Sequence, residues 1–400
     1  MHLEARTTPS KLPLCRAVID VTAINTWLAE GAGSDPAGLL QGLVDRILAA
    51  GIPVERVRLG FYTRHPEVMQ LGARWEPGKP VAVFPFTYRA FLEAQQSGYQ
   101  SPIKAVVFDG CDELRRRLGP EAVAEFGPLS EMVAAGMTDY FIRSLMASDA
   151  KRTFVSVATS APEGFSEEQL EALRAICPLL SLRVELAGLY DSTHRLLEVY
   201  LGKNASRRVL AGAFRRGDGE VLRAVLFTCD LRGFTTLVDQ TPVAEVVRRL
   251  DAHFERVAQP LNAAGGEILK FVGDAILAIF PLGDDPRAAC ERALAASGAV
   301  LDAVAADGTM KIGVGLHLGD VMYGNVGAAN RLDFTAIGSA VNEVCRVEAL
   351  CKELSTPLLV TSTFVDAHGA AGLQSLGKHS LRGVSQPAEL FTLPRFARQA

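Results

Sequence analysis

At 400 residues the chain is too long for one ordinary hydrophobic core, so two domains are expected. Apolar residues at 48% and charged residues at 22% are the balance of a soluble globular protein, and a net charge of −4 leaves no polybasic footprint for nucleic acid or an anionic membrane. No apolar stretch approaches the roughly 18–20 residues that span a bilayer, so membrane insertion is not expected. The N-terminal "MHLEARTTPSKLPLCRAVID" lacks the apolar h-region of a secretory signal, so a cytoplasmic location is expected. Seven scattered cysteines (Cys15, Cys111, Cys177, Cys229, Cys290, Cys345, Cys351) form no CxxC pair, the pattern of reduced thiols.

In chain order, residues 1–35 carry only a weak amphipathic pattern. "DPAGLLQGLVDRILAAG" then predicts a helix, with Leu39, Leu40, Leu43, Ile47 and Leu48 at helical spacing and Gly51 as its stop. Apolar or alternating runs at "VERVRLGFYT", "VAVFPF", "DYFIRSLM" and "TFVSVATSA" predict a half-buried antiparallel sheet flanked by helices. His65 reads as a loop histidine and Cys111 as a packed thiol.

"GFSEEQLEALRAICPLLSLRVELAGLYDSTHRLLEVYLGK" predicts a long helix, capped by Ser166, with Glu167 and Glu168 favourably placed in the first turn and a break or kink at Pro178. Leu179, Leu182, Leu186, Leu189, Thr193, Leu196 and Tyr200 step by alternating threes and fours, which is a heptad seam. Such a seam either packs the helix on its own domain or pairs two protomers in parallel. The polar, glycine-containing "NASRRVLAGAFRRGDGE" marks a boundary, giving a regulatory domain over 1–178, a helical connector over 179–220 and a second domain over 221–400.

Beyond residue 221, "VLRAVLFTCD" reads as a strand and "TPVAEVVRRLDAHFERVAQPLNAAGG" as a helix, with Thr241 as cap, Pro242 in its first turn and Gly265-Gly266 as its stop. Val243, Val246, Val247, Leu250, Phe254 and Val257 form its apolar face. "EILKFVGDAILAIF" predicts two strands about Gly273-Asp274, "PRAACERALAASGAVLDAVAADG" a second helix, and "MKIGVGLHLGDVMYGNVG" two strands about a Gly-Asp turn. The order β-α-β-β-α-β is that of an α+β, ferredoxin-like split unit.

In that arrangement Asp230, ending the first strand, and Asp274, in the hairpin turn, converge. Two carboxylates so close repel unless a cation intervenes. Arg232 could offset one, but one or two Mg²⁺ ions, which take oxygen ligands and leave positions open for phosphate, are the more natural neutraliser. "RGFT" follows at once: Gly233, Phe234 and Thr235 open a helix and aim backbone N–H groups at an anion. Carboxylates for metal beside amides for polyphosphate are equipment for metal-assisted phosphoryl transfer. Lys270, by spacing alone, is an exposed strand-end lysine. In "FTAIGSAVNEVCR", Asn342 and Arg346 stand four apart on one helix face, beside Thr335. The asparagine suits a ribose or ring oxygen, and the arginine suits charge developing on phosphate.

"FTCDLRGFTTL", "EILKFVGDAILAIF", "GVGLHLGDVMYGNVG" and "LDFTAIGSAVNEVCRVEAL", in that order, resemble the catalytic domain of class III nucleotidyl cyclases over about residues 220–395. The resemblance implies a head-to-tail homodimer with active sites between the protomers, ATP as substrate, and two Mg²⁺ (or Mn²⁺) ions per site. It gives Asp230, Asp274 and the Leu231 carbonyl the metals, Lys270 and Thr335 the purine, Asn342 and Arg346 the transition state, and Arg382 a weaker phosphate match. Thr335 stands where many relatives have Asp, threonine being a known alternative among bacterial adenylate cyclases, and Ser339, Glu343 and Cys345 also depart from the usual pattern. Adenine N1 accepts from a lysine and its amino group donates to a hydroxyl, whereas guanine reverses that polarity. Adenylate cyclase activity, a phosphorus–oxygen lyase reaction, is therefore expected; guanylate cyclase activity and a silent nucleotide-binding or dimerisation module are the alternatives. Residues 137–186 resemble the end of a GAF-like sensory domain, which implies regulation of the cyclase by a small-molecule or protein effector.

Overall fold

The computed structural model describes residues 19–31, 33, 35–146, 152–382 and 387–397, which leaves Cys15 outside the described residues. The chain divides into two compact units, Met1–Leu196 and Leu197–Ala400.

The first unit is built on a six-stranded antiparallel sheet: β1 (Arg56–Tyr62), β2 (Val68–Trp75), β3 (Ala82–Thr87), β4 (Glu113–Arg117), β5 (Asp139–Met146) and β6 (Arg152–Thr159), in the order β3-β2-β1-β6-β5-β4. Strand periodicity sorts its two faces. Val57, Leu59 and Phe61 of β1 and Leu71, Ala73 and Trp75 of β2 pack under the helix Pro36–Ala49 and the helix Glu167–Leu201. The other face carries a smaller core around Tyr140, Ile142, Phe154 and Met132.

The sheet agrees with its sequence pattern, but β2 and β4 were not expected. β2 is covered on both faces and holds Gly72, so it shows no apolar–polar alternation. β4, "ELRRR", is a charged edge strand.

The long helix starts with a reciprocal cap: Ser166 N–H donates to Gln169 Oε1 at 2.9 Å and Gln169 N–H donates to Ser166 Oγ at 3.2 Å. It does not break at Pro178. The proline faces solvent, and buried Leu173, Ile176, Cys177 and Leu180 hold the helix on the core on either side of it. The heptad seam is not the packed face. Leu182, Leu186 and Leu189 are 62%, 52% and 45% exposed, whereas Leu180, Val184 and Ala187 face the core.

The second unit has β7 (Gly219–Leu231), β8 (Glu267–Val272), β9 (Ala275–Pro281), β10 (Ile312–Ala328), β11 (Arg331–Ile337), β12 (Leu358–Thr361), β13 (Gln374–His379) and β14 (Ala388–Thr392). They run β13-β14-β12-β10-β7-β9-β8, with β11 paired to β10 and only β10–β12 parallel. Helices Val243–Ala263 and Pro286–Asp307 cover one face through Val257, Leu261, Cys290 and Val300. The helix Ser339–Glu353 covers the other, packing Ala340 and Val344 on Ala224 and Leu226 of β7.

Three sequence expectations fail here. β10 is one strand of 17 residues with no turn at Gly319-Asp320. Gly319 serves packing instead: a Cβ there would lie 2.5 Å from that of Ala340. Thr241 does not cap the following helix, which begins after Pro242 without a side-chain cap bond, because Thr241 already terminates the short helix Phe234–Gln240. Val243 and Val247 of the expected apolar face are exposed, and the buried residues of that helix are Val246, His253, Val257 and Leu261.

Candidate active site

Asp230 is the penultimate residue of β7, on the side of the strand that faces the helix Ser339–Glu353. Asp274 sits in the two-residue turn between β8 and β9, where Gly273 takes φ +64°. Pairing of β9 with β7 sets Cys229 opposite Ile276 and so brings the two aspartates together. The Asp274 carboxyl lies close enough to Asp230 to act on its ionisation. Burial first, then the Asp274 carboxylate, push Asp230 up to about 6, and Arg232 only partly opposes this.

Arg232 is largely committed elsewhere. Its Nη2 lies 2.9 Å from Glu348 Oε1, within ion-pair distance though off hydrogen-bond alignment. Glu348 is buried at 9% side-chain exposure, and desolvation pushes it up to about 7 despite the arginine. Sequence reasoning missed Glu348. The signal was present: an acidic residue among Val344, Val347 and Cys351 on the buried face of a helix.

This donor set fits a hard divalent cation. Among the described residues no group of three or more His, Cys, Asp or Glu side chains converges. Two carboxylates, with a backbone carbonyl such as that of Leu231, suit Mg²⁺, which keeps waters and phosphate oxygens in its remaining positions. The upward shift of Asp230 is what a cation would reverse. A cavity of about 670 Å³ opens beside Asp230, Leu231, Arg232 and Gly233, bounded by Lys311 and Lys352.

Gly233 takes φ +77° and precedes the helix Phe234–Gln240; Phe234 is half-buried and Thr235 exposed. Lys270, on β8, is not a free strand-end lysine: Nζ donates to Asp333 Oδ2 of β11 at 2.6 Å, which holds Asp333 below the usual carboxylate range. Thr335, two residues along β11, is buried at 8% exposure opposite Gly324 of β10. Asp333 is the second residue sequence reasoning passed over.

Asn342 is exposed and Arg346 half-buried on the helix Ser339–Glu353. Among the described residues no hydrogen bond or ion pair joins either to Asp230 or Asp274. Arg382 is exposed in a turn, and residues 383–386 after it lie outside the described residues. Of the unusual residues, Glu343 lies 3.7 Å from His317 Nδ1, Ser339 opens its helix and Cys345 is exposed. One chain therefore assembles the paired aspartates with Arg232 and Glu348, and separately Lys270 with Asp333 near Thr335.

Residues 221–391 match the adenylate and guanylate cyclase catalytic domain, and this segment is a cyclase domain of that class. An uncharacterized protein of Mycobacterium tuberculosis is 36% identical over 214 residues, 51% of this chain and 39% of the relative. The terminal-differentiation-specific adenylate cyclase of Dictyostelium discoideum is 34% identical over 161 residues, 39% of this chain and 8% of that protein. The chain thus spans about two fifths of the length of the mycobacterial relative. Among solved structures, a bacterial light-regulated adenylyl cyclase is 21% identical, with 65% of this chain and 87% of that one covered and a TM-score of 0.48. The guanylyl cyclase Cya2 is 27% identical, with 44% and 93% covered and a TM-score of 0.37. No helix among the described residues is long and apolar enough to cross a membrane.

Proposed function

We propose that the chain is an adenylate cyclase that converts ATP to 3′,5′-cyclic AMP and pyrophosphate at a homodimer interface, under control of a GAF-like N-terminal domain in the cytoplasm. The observation that carries this is the convergence of Asp230 and Asp274, set by the pairing of β7 with β9, within a cyclase domain. The β10-β7-β9-β8 order with helices between supports the ferredoxin-like reading of that domain, and the six-stranded antiparallel sheet between helices supports the GAF-like one.

Two bound Mg²⁺ or Mn²⁺ ions, held by Asp230, Asp274 and the Leu231 carbonyl, would supply Lewis-acid activation of the ribose 3′-hydroxyl and neutralise the triphosphate. The chain's own groups do the rest. Lys270 donates to adenine N1, and the Thr335 hydroxyl accepts from the adenine amino group. Asn342 holds the ribose for in-line attack, and Arg346 takes the charge that develops on the α-phosphate. The Gly233–Thr235 amides and Arg382 hold the outgoing phosphates.

Asn342 and Arg346 make no hydrogen bond or ion pair to the aspartates among the described residues of one chain, and apolar Phe271 and Val272, at 49% and 58% exposure, flank the Asp274 turn. Both facts support a paired arrangement in which one protomer supplies the aspartates and its partner Lys270, Thr335, Asn342 and Arg346.

One observation favours GTP as the second reading. Asp333 places a carboxylate on Lys270, and guanine N1–H and its amino group are donors that a carboxylate would accept. A mismatched buried polar contact costs about 1–3 kcal/mol, so the preferred purine should win by roughly one or two decades. Incubating the purified protein with ATP or GTP and either metal, beside Asp274→Ala, decides. Cyclic AMP from ATP, lost in the variant, is the expected result. Predominant cyclic GMP would transfer the assignment to the second reading, and no product under any condition would overturn both.

A further inference from the structure

We propose that the cavity on the arginine face of the N-terminal sheet is a binding site for a small organic anion with a flat apolar body. The cavity, about 1020 Å³, is large enough for a drug-sized ligand. Its floor is dictated by strand periodicity. With Val57, Leu59 and Phe61 turned into the core, β1 must turn Arg56 and Arg58 the other way, and β2 likewise turns Arg74 away from Ala73 and Trp75. Register then sets Arg58 directly opposite Arg74. Like charges facing each other across adjacent strands are destabilising, and among the described residues only Glu76, at 3.8 Å from Arg74, offers this pair a carboxylate.

Arg56 has its own partners, Glu76 at 2.7 Å and Glu131 at 3.1 Å, and Lys104 is paired with Asp109 at 2.9 Å. Arg74 reaches Glu76 only at 3.8 Å. Arg58 has no carboxylate partner among the described residues, and its Nε is buried without a hydrogen bond. Its guanidinium lies 5.4 Å from the centre of the Phe84 ring, and burial beside Arg74 and Arg56 holds its pKa below the ordinary arginine value. A half-buried cation without a carboxylate partner is costly, and an anion in the cavity is the group that would complete it.

The remaining walls call for an apolar body. Phe84, Phe86 and Phe154 rise from the sheet. Phe91 and Phe108, with ring centres 4.9 Å apart, also line the cavity. The helix Tyr88–Gln96 has no fully buried residue, and its half-buried Phe91 and Ala94 line the cavity. Gly72 keeps the floor low: a Cβ there would lie 2.5 Å from the Phe84 ring.

The test uses the full chain and two fluorescent probes of one shape, 8-anilinonaphthalene-1-sulfonate and its uncharged parent N-phenyl-1-naphthylamine. The sulfonate should saturate a single site. Arg58→Met should melt at or above the wild-type temperature, weaken the sulfonate about tenfold or more, and leave the parent unchanged. Arg74→Met, altering a more exposed side chain, should act in the same direction and decides the matter if Arg58→Met fails to fold. Equal sulfonate affinity in wild type and a folded arginine variant, or no saturable sulfonate site, would overturn the proposal. Because the readout is binding, a protein that makes no cyclic nucleotide but discriminates the two probes leaves this site standing and removes only the cyclase reading.

Discussion

Asp274→Asn should make the metal-free protein more stable while abolishing its chemistry. In the native chain Asp230 is raised from an ordinary 3.8 to about 6 by burial and by the Asp274 carboxylate. A shift of that size corresponds to about 3 kcal/mol if the site were dry. Asp230 is only half-buried, however, so water screens much of it, and burial, which the substitution leaves in place, is the larger cause. About 1 kcal/mol remains for relief of the carboxylate pair, or a rise of about 2–4 °C in the melting temperature of a domain this size.

The sign follows from linkage. A carboxylic acid whose folded-state pKa is raised favours folding below its unfolded value and loses that advantage as pH rises through its folded value. The gain of Asp274→Asn should therefore be full above about pH 6 and fade toward pH 4. Thermal unfolding in a chelator at both ends of that window measures it. With Mg²⁺ added near neutral pH the order should reverse, since only the wild type keeps both carboxylates for the ion. If Asp274→Asn in chelator at neutral pH is no more stable than wild type, the two aspartates do not repel and the metal site is wrongly assigned.

Asp333→Asn removes an ion pair whose side chains are about two-fifths exposed, so stability should change by less than about 1 kcal/mol. The ratio of ATP to GTP turnover should rise about tenfold as Lys270 is freed and a carboxylate lost; an unchanged ratio would show that Asp333 does not border the purine. Gly319→Val forces side-chain atoms into the space held by Ala340 and should cost about 1–3 kcal/mol, read as a lowered unfolding midpoint in urea. Leu182→Glu combined with Leu186→Glu charges an exposed apolar seam; sedimentation should then show a weaker dimer and cyclase activity that falls on dilution, and a dimer of unaltered affinity would remove the seam from the interface.

The elements of the second unit that carry the site followed from patterns local in sequence. β7 is an apolar run ended by Asp230, the Gly273-Asp274 turn needs a positive φ, and Asn342 and Arg346 share a helix face by spacing alone. What local pattern could not supply was the purpose of a residue serving a distant partner. Gly319 reads as a turn in sequence and proves to be the space a crossing helix needs. The seam of leucines reads equally as core or interface, and only the position of the sheet shows that Leu180, Val184 and Ala187 take the core.

The chemistry divides in the same way. Sequence alone determined that two aspartates, a glycine-opened helix and a Lys/Thr/Asn/Arg set occur in the order of a cyclase domain, because each is a property of residues close together in the chain. Tertiary structure decided that Arg232 is held by Glu348, that Lys270 is held by Asp333, and that Arg58 faces Arg74 across a cavity. Each of these pairs depends on strand register or helix packing between segments distant in sequence, and electrostatics acts on distance in space rather than along the chain.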